Sequence, residues 1–277
     1  MPLPPVAVVG ALYTGSERGL ASDLLAARAL GLAPLPVCTA VVVAGGGRVT
    51  DVTDVPVDTV AAQLEHVDET GPVAGVKVGV LGGPKTVGVV LDAVERLGVP
   101  SVLDVVASGP SGETVLSARG IDALAERLGA AHLVTVSRAD AELVTGGEVA
   151  SLDDAQVAAQ RIVNRGARAV VVRCGALPYR FYDPADDPGA ASEPLFFDLY
   201  YDGDDFALFE APLVDGSPDG ASSAFAIAAL AALVEGRPVE DALRAAKRFA
   251  TETVRHAAPV EGRGPRPDPF WEHGASG

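Results

Sequence analysis

Short β-branched runs alternate with longer amphipathic stretches through most of this chain. Residues 6–10 (VAVVG) read as a buried strand ending in glycine, and 20–30 carry apolar residues at helical spacing before Gly31. Residues 36–44 (PVCTAVVVA) read as a second buried strand, followed by Gly45, Gly46 and Gly47. Residues 57–66 read as a helix with Asp58 in its first turn. The same alternation predicts strands at 75–81, 101–106, 132–136 and 167–174, and helices at 86–97, 118–128, 139–145 and 152–164.

Strand–helix units repeated in this way predict a mostly parallel sheet covered by helices on both faces. Two aromatic-rich runs, 196–201 and 206–211, flank Asp202-Gly203-Asp204-Asp205. That hairpin signal predicts antiparallel strands at one edge. Helices at 222–234 and 239–256 follow, and 184–194 reads as an irregular acidic loop. With no break in composition, residues 1–258 are expected to form one α/β domain, and 259–277 a Gly/Pro-rich, partly ordered tail.

Composition narrows the partners. The chain is 48% apolar but 5% aromatic, so Ala, Val and Leu must fill its core. A net charge of −16 argues against a nucleic-acid partner, which needs clustered Lys and Arg. Small phosphorylated ligands stay open, because helix N-termini bind them without net positive charge. Cys38 and Cys174 give no disulfide framework, and a reducing, cytoplasmic setting is expected. No membrane partner is expected: no apolar run approaches the roughly 20 residues of a span, and residues 1–5 (MPLPP) lack a signal-peptide pattern. His66, His132, His256 and His273 are scattered and suggest no metal cluster. The three glycines lack the G-x-x-x-x-G-K-[ST] pattern of a phosphate loop and read as a flexible turn.

Six segments, in order, resemble the hydroxymethylpyrimidine/phosphomethylpyrimidine kinase family. They are Gly19-Leu20-Ala21-Ser22-Asp23-Leu24 with Ala29-Leu30-Gly31, and Val60-Ala61-Ala62-Gln63-Leu64. Next come Val76-Lys77-Val78-Gly79-Val80-Leu81-Gly82 and Val102-Leu103-Asp104-Val105-Val106 with Ser111-Gly112-Glu113. The last are Tyr201-Asp202-Gly203 through Phe209-Glu210-Ala211-Pro212, and Gly262-Arg263-Gly264-Pro265. The resemblance implies a ribokinase-like three-layer α/β/α domain, related to the pyridoxal kinases and forming a homodimer. It also implies use of ATP and Mg²⁺ to phosphorylate hydroxymethylpyrimidine, its phosphate or a related small alcohol in thiamine biosynthesis.

The site residues carry over by position. The family's Gly-Thr-Gly-Cys or Gly-Thr-Gly-Asp motif falls on Gly220-Ala221-Ser222-Ser223. Gly220, Ala221 and Ser222 then form the anion hole, and Ser223 occupies the general-base position. Serine is a weak base without an activating neighbour, and none stands near it in sequence. A second register puts 216–219 on the motif and makes Asp219 the base; the plain alternative is that Asp219 caps the helix. Asp104, Ser137, Arg173 and Gly175 fall on the nucleotide side, with Asp104 and Asp140 as candidate Mg²⁺ residues. Gly10, Leu12, Ala44 and Val80 fall in the substrate pocket, where Ala44 replaces the glutamine that reads the pyrimidine. Two functions follow: a small-molecule kinase with altered chemistry, or a non-catalytic binding or accessory protein that has lost its base.

Overall fold

The computed structural model describes residues 2–15, 18–177, 195–214, 220–261 and 263–273. Asp219, the acidic loop 184–194 and Gly262 lie outside the described residues. Nine strands form one sheet: β1 (Pro5–Thr14), β2 (Ala33–Gly45), β3 (Arg48–Asp54), β4 (Gly75–Val78), β5 (Ser101–Val105), β6 (Leu133–Ser137), β7 (Val170–Gly175), β8 (Leu195–Tyr201) and β9 (Phe206–Pro212). Their order is β3-β2-β1-β4-β5-β6-β7-β8-β9. The run from β2 to β7 is parallel. β3 pairs antiparallel at one end, as do β8 and β9 at the other.

Strand alternation divides the core into two layers. Val6, Val8, Val102 and Val171 pack against α1 (Leu20–Ala29), α7 (Ala221–Val234) and α8 (Val239–Arg255). Ala7, Val9, Leu103, Val170 and Val172 face the opposite way. They meet α2 (Val57–Glu69), α3 (Pro84–Leu97), α4 (Ala118–Ala125), α5 (Arg138–Thr145) and α6 (Leu152–Asn164). The predicted ribokinase-like α/β/α plan is therefore present, with side chains buried on both faces of the strands. α7 (ASSAFAIAALAALV) is apolar nearly all round because it is covered by the sheet and by both neighbouring helices.

Three details differ from the sequence reading. The triple glycine is the turn of a β2–β3 hairpin: Gly45 pairs with Arg48, and Gly46 and Gly47 take φ of 59° and 78°. Two successive positive φ values suit a tight two-residue turn that glycine adopts without steric cost. β3 escaped notice because RVTDVTD is an edge strand with one buried residue, Val49, and so carries no apolar run. Past residue 257, β10 (Ala258–Val260) and β11 (Arg263–Arg266) form an antiparallel pair. The Asp268 amide then donates to the Thr253 carbonyl at 3.0 Å, so this segment folds back on α8.

The Asp202-Gly203 hairpin stands where predicted, joining β8 to β9. Asp202 Oδ1 accepts from the amides of Asp205 (2.9 Å) and Asp204 (3.0 Å), which hold its carboxyl below the usual range. Tyr201 and Phe206 stack at 4.2 Å to close the strands.

Candidate active site

A chain of buried charges crosses the C-terminal ends of the parallel strands, the edge at which open α/β sheets bind ligands. Asp104, near the end of β5, is 1% exposed and accepts from Thr135 Oγ1 at 2.8 Å. Arg173 Nη2, from β7, lies 3.4 Å from Asp104 Oδ1, and Lys77 Nζ, from β4, lies 3.8 Å from Oδ2. Lys77 also donates to Asp23 Oδ2 of α1 at 2.8 Å. On its other side the Arg173 guanidinium donates through Nη1 to Ser222 Oγ, at the start of α7. Asp104 and the α7 N-terminus are thus joined by a single arginine side chain.

Burial pushes the Asp23 carboxyl up, Lys77 and the Ser223 hydroxyl pull it down, and the like charge of Asp104 pushes it up again. The net direction is upward. Two acids and two cations share this dry space, an arrangement that holds only while each charge keeps a partner.

A cleft of about 690 Å³ opens beside this chain. Ser137, Arg173, Gly175, Ala221 and Ser222 line it, whereas Asp104 and Gly220, expected with them, are not among its lining residues. Gly220 is the N-cap residue of α7, at φ 93°, with Ser22 Oγ donating to its carbonyl at 3.3 Å. First-turn amides have no acceptor within their own helix, so this end of α7 can face an anion. The Ser222 hydroxyl is engaged by Arg173.

Sequence reasoning missed the far wall of the cleft. Lys247 of α8 pairs with Asp198 of β8 at 2.9 Å, both buried, and stands 5.5 Å from the centroid of the Phe196 ring. Burial raises the Asp198 carboxyl, opposed by Lys247 and Arg173. The available signal was a lysine among Ala246, Phe249 and Ala250 on a helix that otherwise buries apolar residues.

Asp140 is not an open ligand. Its Oδ1 accepts from Ala107 N (3.0 Å), Ser108 N (2.9 Å) and Ser108 Oγ (2.8 Å), and its Oδ2 from Ser137 Oγ (2.7 Å). The carboxylate fastens the segment after β5 to α5. Among the described residues no group of three or more His, Cys, Asp or Glu could hold a metal ion. With Asp104 already flanked by Thr135, Arg173 and Lys77, neither expected carboxylate fits as a direct Mg²⁺ ligand.

On the substrate side, Val80 is buried and packs with Ala44 at its edge. Leu12, expected in this pocket, is 45% exposed. Alternation along β1 turns Ala11 and Tyr13 inward instead, into the cluster that holds Val80. Burial pushes the Tyr13 phenol up to about 12; Arg18 pulls it down, and Asp140 and Asp104 push it up. It therefore stays a neutral hydrogen-bond donor beside the acids. Gly10 lies against Asp23: a Cβ there would stand 3.9 Å from Asp23 Oδ2.

This sheet order, with a charged strand-end cleft closed by the N-terminus of a late helix, defines a ribokinase-like fold. The Staphylococcus aureus pyridoxal kinase in complex with AMP-PCP superposes with a TM-score of 0.82 at 24% identity, covering 97% of this chain and 94% of that one. Residues 14–267 match the phosphomethylpyrimidine kinase family. The hydroxymethylpyrimidine/phosphomethylpyrimidine kinase of Rhizobium meliloti is 32% identical over 259 residues, 91% of this chain and 92% of the relative. The corresponding enzyme of Aquifex aeolicus is 29% identical over 242 residues, 86% and 89%. The chain belongs to the phosphomethylpyrimidine kinase family.

Proposed function

We propose that this chain transfers the γ-phosphoryl group of ATP to the hydroxymethyl oxygen of hydroxymethylpyrimidine or its phosphate, intermediates of thiamine biosynthesis. The observation that carries this reading is the meeting of Ser137, Arg173, Gly175, Ala221 and Ser222 on one cleft of about 690 Å³. Its size suits a nucleotide. Arg173 stands where charge develops on the transferring group, and the α7 amides supply a second set of donors. Asp104 holds the guanidinium in place from behind. The relatives are kinases over nearly their whole length, and a pyridoxal kinase of the same fold takes an ATP analogue. The case for a non-catalytic protein rests on serine at the base position, and the kinases among the relatives speak against it.

Ala44 and Val80 offer no hydrogen bonds to an aminopyrimidine through their side chains, so its polar edge must be met by backbone groups or by Tyr13. The homodimer belongs to the same reading and rests on the family resemblance; the cytoplasmic setting rests on the cysteine usage.

Steady-state turnover with MgATP tests the reading, with hydroxymethylpyrimidine, its phosphate and pyridoxal as acceptors. The pyrimidines are expected to give the highest kcat/KM, and Arg173→Ala to lower kcat by about 10²–10³-fold, the usual cost of losing a transition-state donor. Absence of turnover with every acceptor would overturn it.

A further inference from the structure

The cleft is a positive spot in a strongly acidic protein. Arg138, Arg173 and Lys247 line it against one acid, Asp198, while the whole chain carries a net charge of −16. A concave site lined by one sign of charge concentrates ligands of the other. Two of these cations are already committed. Lys247 pairs with Asp198 at 2.9 Å, and Arg173 is held between Asp104 and Ser222. Arg138 is exposed, and its guanidinium has no hydrogen-bond or ion-pair partner among the described residues.

The place of Arg138 is also unfavourable to its own helix. It is the first residue of α5, where free amides already present positive charge and an acid is preferred. Ser137 caps that helix by accepting from the Asp140 amide at 3.1 Å, so capping makes no use of the arginine. Pairing between β6 and β7 sets Ser137 beside Arg173, which puts Arg138 one residue beyond the cation that reaches the start of α7. Elsewhere the lining is apolar, with Phe196, Leu213, Val214 and Val254, a surface for a flat base rather than for phosphate.

We propose that Arg138 binds the phosphates that stay with the nucleotide, the α- and β-phosphates of ATP, while Arg173 and the α7 amides take the group in transfer. This rests on the kinase reading above. Arg173 is tethered on both sides, so its fork is fixed at the start of α7. Arg138 has no tether, and its planar fork can take two phosphate oxygens at once in charge-assisted hydrogen bonds. A free cation here makes the cleft select a nucleoside polyphosphate over a bare nucleoside.

Calorimetric titration of the full chain with ADP and with adenosine, in the presence of Mg²⁺, reads this without turnover. Arg138→Ala should weaken ADP binding by about 10–100-fold, the usual worth of a hydrogen bond to a charged group, and leave adenosine within about twofold. Arg138→Lys should recover part of the loss, because the charge returns without the fork. Added salt should weaken ADP binding to the wild type more than to Arg138→Ala. Arg96→Ala removes an equal charge from α3, outside the cleft, and should leave ADP binding unchanged. In steady state, KM for MgATP should rise in Arg138→Ala while kcat changes little. Arg138 is exposed and unpaired, so the unfolding temperature of the variant should not fall. ADP affinity of Arg138→Ala within about twofold of wild type, or an equal loss for adenosine, overturns the phosphate contact while leaving the kinase reading in place. A wild-type chain that binds neither ADP nor ATP overturns both.

Discussion

Replacing Lys77 by methionine should be among the most destabilising single changes in this molecule, and its effect should depend on pH. Lys77 is 1% exposed, with Nζ 2.8 Å from Asp23 and 3.8 Å from Asp104. Methionine fills most of the volume but leaves Asp23 without a counter-charge; Asp104 keeps Thr135 and Arg173. Breaking a buried pair by removing one partner costs about 3–5 kcal/mol. Dividing by a urea dependence of about 2–3 kcal/mol/M gives a midpoint shift of roughly 1–2.5 M.

The sign of the pH effect follows from Asp23. Its folded pKa is raised above the unfolded value, so its contribution is most favourable below the unfolded pKa and is lost as pH rises through the folded one. Without Lys77 that rise grows, so the deficit of Lys77→Met should be larger at pH 7.5 than at pH 5. Urea unfolding at both pH values measures this, and adding Asp23→Asn should recover most of the loss. A deficit below about 1 kcal/mol, well short of the expected range, or a double variant no better than the single, would refute the reasoning.

Asp140→Ala should strip three donors at residues 107 and 108 of their acceptor. It should cost about 1–3 kcal/mol and abolish hydrogen-exchange protection of both amides, whereas Asp140→Asn should keep much of it. Gly19→Ala should cost more than about 2 kcal/mol, because φ is 58° and the new methyl meets the Ala11 carbonyl and the Tyr13 ring. Gly31→Ala, with φ 74° and open space, should cost only the left-handed penalty of about 1–2 kcal/mol; thermal unfolding of the pair checks the difference.

The order of elements was legible because each central strand is a nearly continuous apolar run and each helix shows its own period. Asp104 and Arg173 were legible for a related reason: a charged residue at the end of such a run falls on the ligand edge of the sheet. Leu12 and Tyr13 show the limit. They differ by one position, and one position decides which side of β1 a side chain takes, so spacing alone does not say which of them turns inward. Asp140 is a matter of partners: its spacing marks an acid at the start of a helix, but only the fold brings Ala107 and Ser108 to it. The Asp23–Lys77 and Asp198–Lys247 pairs join residues far apart in sequence and in different layers, and no local pattern announces them. The polar edge strand β3 was hidden because solvent, not the core, dictates most of its residues.

The central claim is transfer of a phosphoryl group to carbon-bound oxygen on a small pyrimidine. Phosphorus NMR of the full chain incubated with MgATP and hydroxymethylpyrimidine reads that bond directly. The account predicts a growing phosphomonoester resonance, matched one-for-one by ADP and absent when hydroxymethylpyrimidine is omitted. Inorganic phosphate as the only new species, or an unchanged ATP spectrum in the presence of folded protein, would contradict it.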